Sequence, residues 1–133
     1  MPKLTTRVDL ACPAERVWRL VTDLDCWSWR SGLTRILTME DGRHFVEQFR
    51  FGDALFCRIT AFAPYRWYAL DIANDRLFGR CEALFISTER GTRAEFTAEV
   101  WMKGPFGELA AKSWLLRRQR RYVTDLRRAL EVK

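Results

Sequence analysis

The last quarter of the chain restricts the fold more than any other part. Behind the breaker Gly104-Pro105-Phe106-Gly107, the residues to Val132 read as one helix of about 24 residues. Leu109, Leu116, Val123 and Leu130 recur at seven-residue spacing, flanked by Leu115, Tyr122, Leu126 and Ala129. That stripe marks an amphipathic helix. Arg117, Arg118, Arg121, Asp125 and Arg128 fall on the opposite, solvated side. Such a helix must bury its apolar face, and the remainder of the chain offers one partner large enough.

That partner is a sheet. From Thr34 to Trp101 the sequence reads as strand, in segments Arg35 to Met39, Arg43 to Phe51, Ala54 to Phe62, Trp67 to Ala73, Phe78 to Ser87 and Thr92 to Trp101. Asp41-Gly42 and Gly52-Asp53 are hairpin signals, the second of the type II′ kind, and Ala63-Pro64-Tyr65-Arg66 and Glu89-Arg90-Gly91 are turns. Consecutive strands on tight turns imply an antiparallel meander. The last segment is the clearest: Ala94, Phe96, Ala98 and Val100 alternate with Arg93, Glu95, Thr97 and Glu99, one face buried and one wet. Ahead of the meander, Thr5 to Leu10 alternates as a first strand. Cys12-Pro13-Ala14-Glu15 opens a helix, Pro13 in its first turn, buried through Val17, Trp18, Leu20 and Val21. Cys26 to Gly32 reads as a second short helix ending at glycine.

A chain of 133 residues suffices for one domain spanning 1–133, and six Trp and nine Phe supply enough apolar bulk for a core and a lined cavity. The start, Met1-Pro2-Lys3-Leu4-Thr5, has no signal-peptide run, and no stretch reaches about 18 apolar residues, so a soluble cytoplasmic protein is expected. Cys12, Cys26, Cys57 and Cys81 are widely spaced and read as free thiols; with His44 the single histidine, no metal site and no cofactor are expected. The net charge of +6 invites an anionic partner. No aromatic row accompanies the charge, so that partner is read as a membrane surface or an acidic protein at the basic helix, not nucleic acid.

Several stretches then carry a resemblance. Ala11-Cys12-Pro13-Ala14-Glu15-Arg16-Val17-Trp18, Thr22-Asp23-Leu24-Asp25-Cys26-Trp27-Ser28-Trp29-Arg30, Ile59-Thr60-Ala61-Phe62-Ala63-Pro64, Gly91-Thr92-Arg93 and Gly104-Pro105-Phe106-Gly107 follow in order along nearly the whole chain. With the element order, they resemble the SRPBCC superfamily of START-like, helix-grip domains, and within it the polyketide cyclase/dehydrase type. The family pattern is departed from at Ala61, where a Glu is frequent, and in the closer spacing of Trp27 and Trp29. The resemblance implies an α+β helix-grip fold: a curved antiparallel seven-stranded sheet, two small helices after the first strand, and a long C-terminal helix over an apolar pocket. It implies no reaction, since such domains bind lipids, sterols, quinones, hormones and polyketides, some as enzymes and many as carriers.

Candidate pocket residues follow from that frame. Lys112 and Gln119 fall in the helix stripe near Leu116 and Val123, and would point polar heads into the pocket. Tyr68 and Tyr122 offer phenols to a carbonyl or phenol ligand. Ile59, whose family counterpart points inward, and Phe96 would line the wall. If the loop at Gly52-Asp53 has two residues, Glu47 lies opposite Arg58, and if the next loop has four, Arg58 lies opposite Asp71, a polar row across three strands. Facing inward it would be a buried acid/base set; facing outward, which the inward assignment of Ile59 favours, it is a solvent ladder. His44 is expected at an exposed strand start. No catalytic residue is assigned. The expected function is binding of a hydrophobic small molecule (a lipid, an isoprenoid or quinone, or an aromatic polyketide-like compound), with a cyclase, aromatase or dehydratase, and an interaction module working through the basic helix, as alternatives.

Overall fold

The computed structural model of the protein describes residues 1–131. Its elements run β1 (Lys3–Leu10), α1 (Ala14–Thr22), β2 (Leu33–Thr38), β3 (His44–Phe49), β4 (Leu55–Ala63), β5 (Trp67–Ala73), β6 (Leu77–Thr88), β7 (Gly91–Met102) and α2 (Gly107–Glu131). The expected helix end at Val132 lies outside the described residues. One open antiparallel sheet has the order β1-β7-β6-β5-β4-β3-β2, a meander from β2 to β7 with β1 added beyond β7. With α2 laid across β7 and β1, this is the helix-grip α+β arrangement.

Local chemistry sets the corners. Glu89 and Arg90 close the β6–β7 hairpin, and the following Gly91 takes φ +146°, where a Cβ would stand 2.1 Å from the Leu10 carbonyl. Only glycine lets the hairpin end press against the turn that leads from β1 into α1. Beside it, the buried Thr92 hydroxyl donates to the Cys12 carbonyl at 2.8 Å. The concave face of the sheet meets the helices in two apolar groups. Val8, Leu10, Phe85 and Ala94 pack with Val17 of α1 and Leu126 of α2, while Phe45, Leu55, Ile72 and Val100 pack with Ala111 and Leu115. Leu55, Ile72, Leu115 and Leu126 are fully enclosed, and each is worth about 1.5–3 kcal/mol of burial.

Three expectations are corrected. The second short helix does not form: residues 26–32 make two separate turns, closed by Arg30 N–H to Trp27 O at 2.9 Å and Leu33 N–H to Arg30 O at 3.2 Å. A helix would need the Ser31 amide for the Trp27 carbonyl. That amide donates instead to Asp125 Oδ2 on α2 at 2.9 Å, so a tertiary bond outcompetes the local one.

The phase of α2 also differs. Its inner face is Ala111, Leu115, Gln119, Leu126 and Leu130, whereas Leu109 and Leu116 are 70% and 46% exposed. The entry of the helix decides this: a Cβ on Gly107 would stand 2.1 Å from the Met102 carbonyl, so the first turn is locked against the end of β7. Asp125, expected in solvent, is consequently buried, and Arg118 turns inward.

Finally, β3 and β4 are joined by five residues, Arg50 to Ala54, not by two. Glu47 therefore lies opposite Leu55, and it is His44 that lies opposite Arg58. The register shifts by three residues, an odd number, which moves every side chain of β3 to the other face. Glu47, Phe45 and Phe49 accordingly share the concave face with Cys57 and Ile59.

Candidate functional site

A cavity of about 380 Å³ lies between the concave sheet, α1, the 23–30 loop and the middle of α2. Its walls are mostly apolar: Trp18 and Val21 from α1, Trp27 and Trp29 from the loop, and Phe45, Ile59, Leu70 and Phe96 from the sheet. The aromatic side chains hold one another in place. Trp18 meets Tyr68 and Phe85 edge-on with centroids 5.9 Å apart in each case, and Tyr122 meets Trp29 at 5.3 Å and Phe96 at 5.1 Å. Such contacts add about 0.5–1.5 kcal/mol each beyond area burial and stiffen the wall.

Into this apolar enclosure three charged side chains converge. Glu47 of β3 accepts from Arg30 Nη1 through Oε2, and from Arg118 Nη2 through Oε1 at 3.0 Å. Glu47 is 5% exposed, Arg30 12% and Arg118 17%. Both guanidiniums also lie on aromatic rings: Arg30 is 5.0 Å from the centroid of Tyr122, and Arg118 5.3 Å from that of Trp114. Burial alone would push the Glu47 carboxyl up, but Arg30 and Arg118 outweigh it and hold the group down at about 2. Burial works against the charge on Arg118 too, yet Glu47 and the neighbouring thiols raise its pKa further. Burial pushes the Tyr68 and Tyr122 phenols and the Cys57 and Cys81 thiols upward, so all four stay protonated at neutral pH.

The residues expected in the pocket divide. Tyr68, Tyr122, Ile59, Phe96 and Gln119 line the cavity. Gln119 spends its amide on structure: Nε2 donates to the Leu4 carbonyl at 3.0 Å, and Oε1 accepts from the Thr6 hydroxyl, which ties β1 to α2. Lys112 and Leu116 do not line it. The phase of α2 carries both outward, and Lys112 stands in solvent 3.8 Å from Glu108.

The polar row is split by the longer β3–β4 loop. Arg58 faces Asp71 at 2.6 Å on the exposed convex side, while Glu47 is inside with different partners. His44 sits exposed at the start of β3, 2.5 Å from Asp41. Sequence reasoning missed Arg30 and Arg118. For Arg118 the signal was present: it lies three residues after Leu115 and four before Tyr122, on their face, and only its charge excluded it from the stripe. For Arg30, in an irregular loop, no periodic signal exists.

A family model described as polyketide cyclase/dehydrase and lipid transport matches residues 1–131. The chain belongs to that family. The fold of this member of the polyketide cyclase/dehydrase and lipid transport family recurs in solved structures at low sequence identity. A START superfamily protein from Mycobacterium smegmatis superposes with a TM-score of 0.83 at 13% identity, over 97% of each chain. A protein from Mesorhizobium loti gives 0.80 at 15% identity, over 98% of this chain and 97% of its own. DynU16, a protein of the dynemicin biosynthetic locus, gives 0.75 at 16% identity over 98% of this chain and 47% of its own. Likeness at this level establishes the fold alone. No curated protein matches the chain in sequence.

Proposed function

We propose that this protein binds an apolar small molecule, a lipid, an isoprenoid or quinone, or an aromatic polyketide-like compound, in the cavity under α2. The observation that carries the reading is the cavity itself: about 380 Å³, with aromatic walls and a few convergent polar groups. Affinity would come from apolar ligand surface removed from water, at about 25 cal/mol per Å². The titratable groups favour a carrier over a cyclase or dehydratase. Proton transfer at neutral pH works best with a group poised near neutrality. Glu47 is held ionised far below that range, and the phenols and thiols are held protonated above it. The four free thiols suit a cytoplasmic setting.

Mass spectrometry of the purified protein under non-denaturing conditions, followed by solvent extraction, tests the reading. A discrete co-purifying apolar species is the expected result. A protein that is empty, and whose tryptophan fluorescence ignores a panel of lipids, quinones and polyketide mimics, overturns it.

The outward face of α2 favours a loading surface as well. Phe106, Leu109 and Leu116 are exposed beside Lys112, Arg117 and Arg120, an apolar and cationic combination that complements an anionic membrane. Among the described residues no helix is long and apolar enough to cross one. Co-sedimentation with phosphatidylglycerol vesicles, lost in Leu109→Ser/Leu116→Ser, is expected; equal binding to neutral vesicles, or none to either, refutes the docking.

A further inference from the structure

From the cluster inside the cavity we infer that the natural ligand is a carboxylic acid, an amphiphile whose carboxylate docks between Arg30 and Arg118 while its apolar body fills the aromatic end. This rests on the reading that the cavity binds an apolar ligand. The first ground is charge. Two guanidiniums share one carboxylate, so the enclosed cluster holds one uncompensated positive charge. The other carboxylates bordering the cavity do not offset it. Asp23 is exposed and accepts from the amides of Asp25 and Cys26, and Glu82 is exposed and 3.0 Å from Arg80. A lone positive charge in an apolar enclosure is costly unless an anion joins it.

The second ground is donor capacity. Each guanidinium offers five N–H donors in a planar fork. Among the described residues each gives a hydrogen bond to Glu47 and to no other acceptor. Both arginines line the cavity, so the unspent edges are the parts of the cluster that a ligand would meet. Glu47 already displays what these forks hold: a flat, two-oxygen anion. The third ground is the pair of phenols. Tyr122 lies under Arg30, and Tyr68 lines the same space. Both remain protonated at neutral pH; the Tyr68 hydroxyl is spent on Tyr122, which leaves the Tyr122 hydroxyl to donate to a carboxylate oxygen. A single carboxylate brings the cluster to neutrality. A phosphate dianion would overshoot it, and an ammonium would be repelled.

A matched ligand series provides the test: decanoate, decanol, decylamine and decyl phosphate, each below its micelle concentration, titrated at pH 7 against the intrinsic fluorescence of Trp18, Trp27 and Trp29. Decanoate should bind about tenfold or more tighter than decanol and decylamine, the gain expected of a charge-assisted fork. It should also exceed decyl phosphate. In Arg118→Gln, shown folded by its melting transition, the decanoate-to-decanol ratio should fall to about one, and Arg118→Lys should restore part of it. Decanol binding as well as decanoate, or decyl phosphate binding better, overturns the carboxylate inference and leaves the cavity reading standing. Failure of all four to bind sinks the cavity reading and the inference with it. If the variants do not fold, the wild-type series alone separates these outcomes.

Discussion

Replacing Glu47 with Gln keeps the shape of the buried cluster and removes its only anion, leaving two inward-facing guanidiniums without a counter-charge. Removing one partner of a buried ion pair typically costs about 3–5 kcal/mol. The pKa leads to a similar figure. The folded carboxyl sits at about 2 and an unfolded glutamate at about 4.3, so the difference is worth about 3 kcal/mol at neutral pH. For 133 residues the entropy of unfolding is about 0.28 kcal/mol/K, so Glu47→Gln should melt about 10–18 °C below wild type at pH 7.

The pH dependence carries a definite sign. A depressed carboxyl contributes stability that is complete above its unfolded pKa and fades as pH falls toward its folded one. The gap between wild type and variant should therefore be full above about pH 4.5 and narrow steadily toward pH 2. Calorimetry of both proteins across that range measures it. A variant melting within about 3 °C of wild type at pH 7, or a gap indifferent to pH, would refute the buried cluster as a source of stability.

Other consequences are smaller and separable. Arg58→Ala breaks the exposed pair with Asp71 and should cost less than about 1 kcal/mol in chemical denaturation, despite a bond length shorter than that between Glu47 and Arg118. Asp125→Ala removes the acceptor of both the Ser31 amide and its hydroxyl, at 2.9 and 3.0 Å. It should cost about 1.5–3 kcal/mol and speed hydrogen exchange at Ser31 more than in β7; a uniform loss of protection would contradict a local tether. A thiol reagent at pH 7 should label exposed Cys26 first and buried Cys12 and Cys57 only on opening, and mass mapping after brief labelling checks the order. The carboxylate of Asp23 raises the Cys26 thiol, so its labelling should quicken as pH rises through the alkaline range.

Most of the sheet was legible because its signals are local. Strand alternation in β7, the turn at Glu89-Arg90-Gly91 and a breaker before α2 each act within a few residues, and the structure follows them. What escaped depends on distances that no window contains. The turn at 26–32 is settled by Asp125, more than ninety residues away, capturing an amide a helix would need. The phase of α2 is settled by the clearance between Gly107 and Met102. The inward face of β3 is settled by loop length, and the Gly52-Asp53 signal suggested a tighter connection than Arg50 to Ala54 makes. The site suffers most from this, since all three charged members of its cluster depend on one of these non-local decisions. The apolar wall, by contrast, was partly readable, as Ile59, Tyr68, Phe96 and Tyr122 show.

The pairing of β1 with β7 has a kinetic meaning as well. Lys3 faces Glu99 and Thr6 faces Phe96, so the first strand of this sheet to be synthesised has no partner until almost the whole sheet has followed. The lock on that strand comes later still, because Gln119 holds Leu4 and Thr6 from the middle of the final helix. Nascent chains would therefore spend most of their synthesis with β1 unpaired. Closing such long loops makes the last step of folding slow relative to hairpin formation. The interval before α2 docks is when the edge of β7 lies open to another chain, and when a chaperone would have the most to protect.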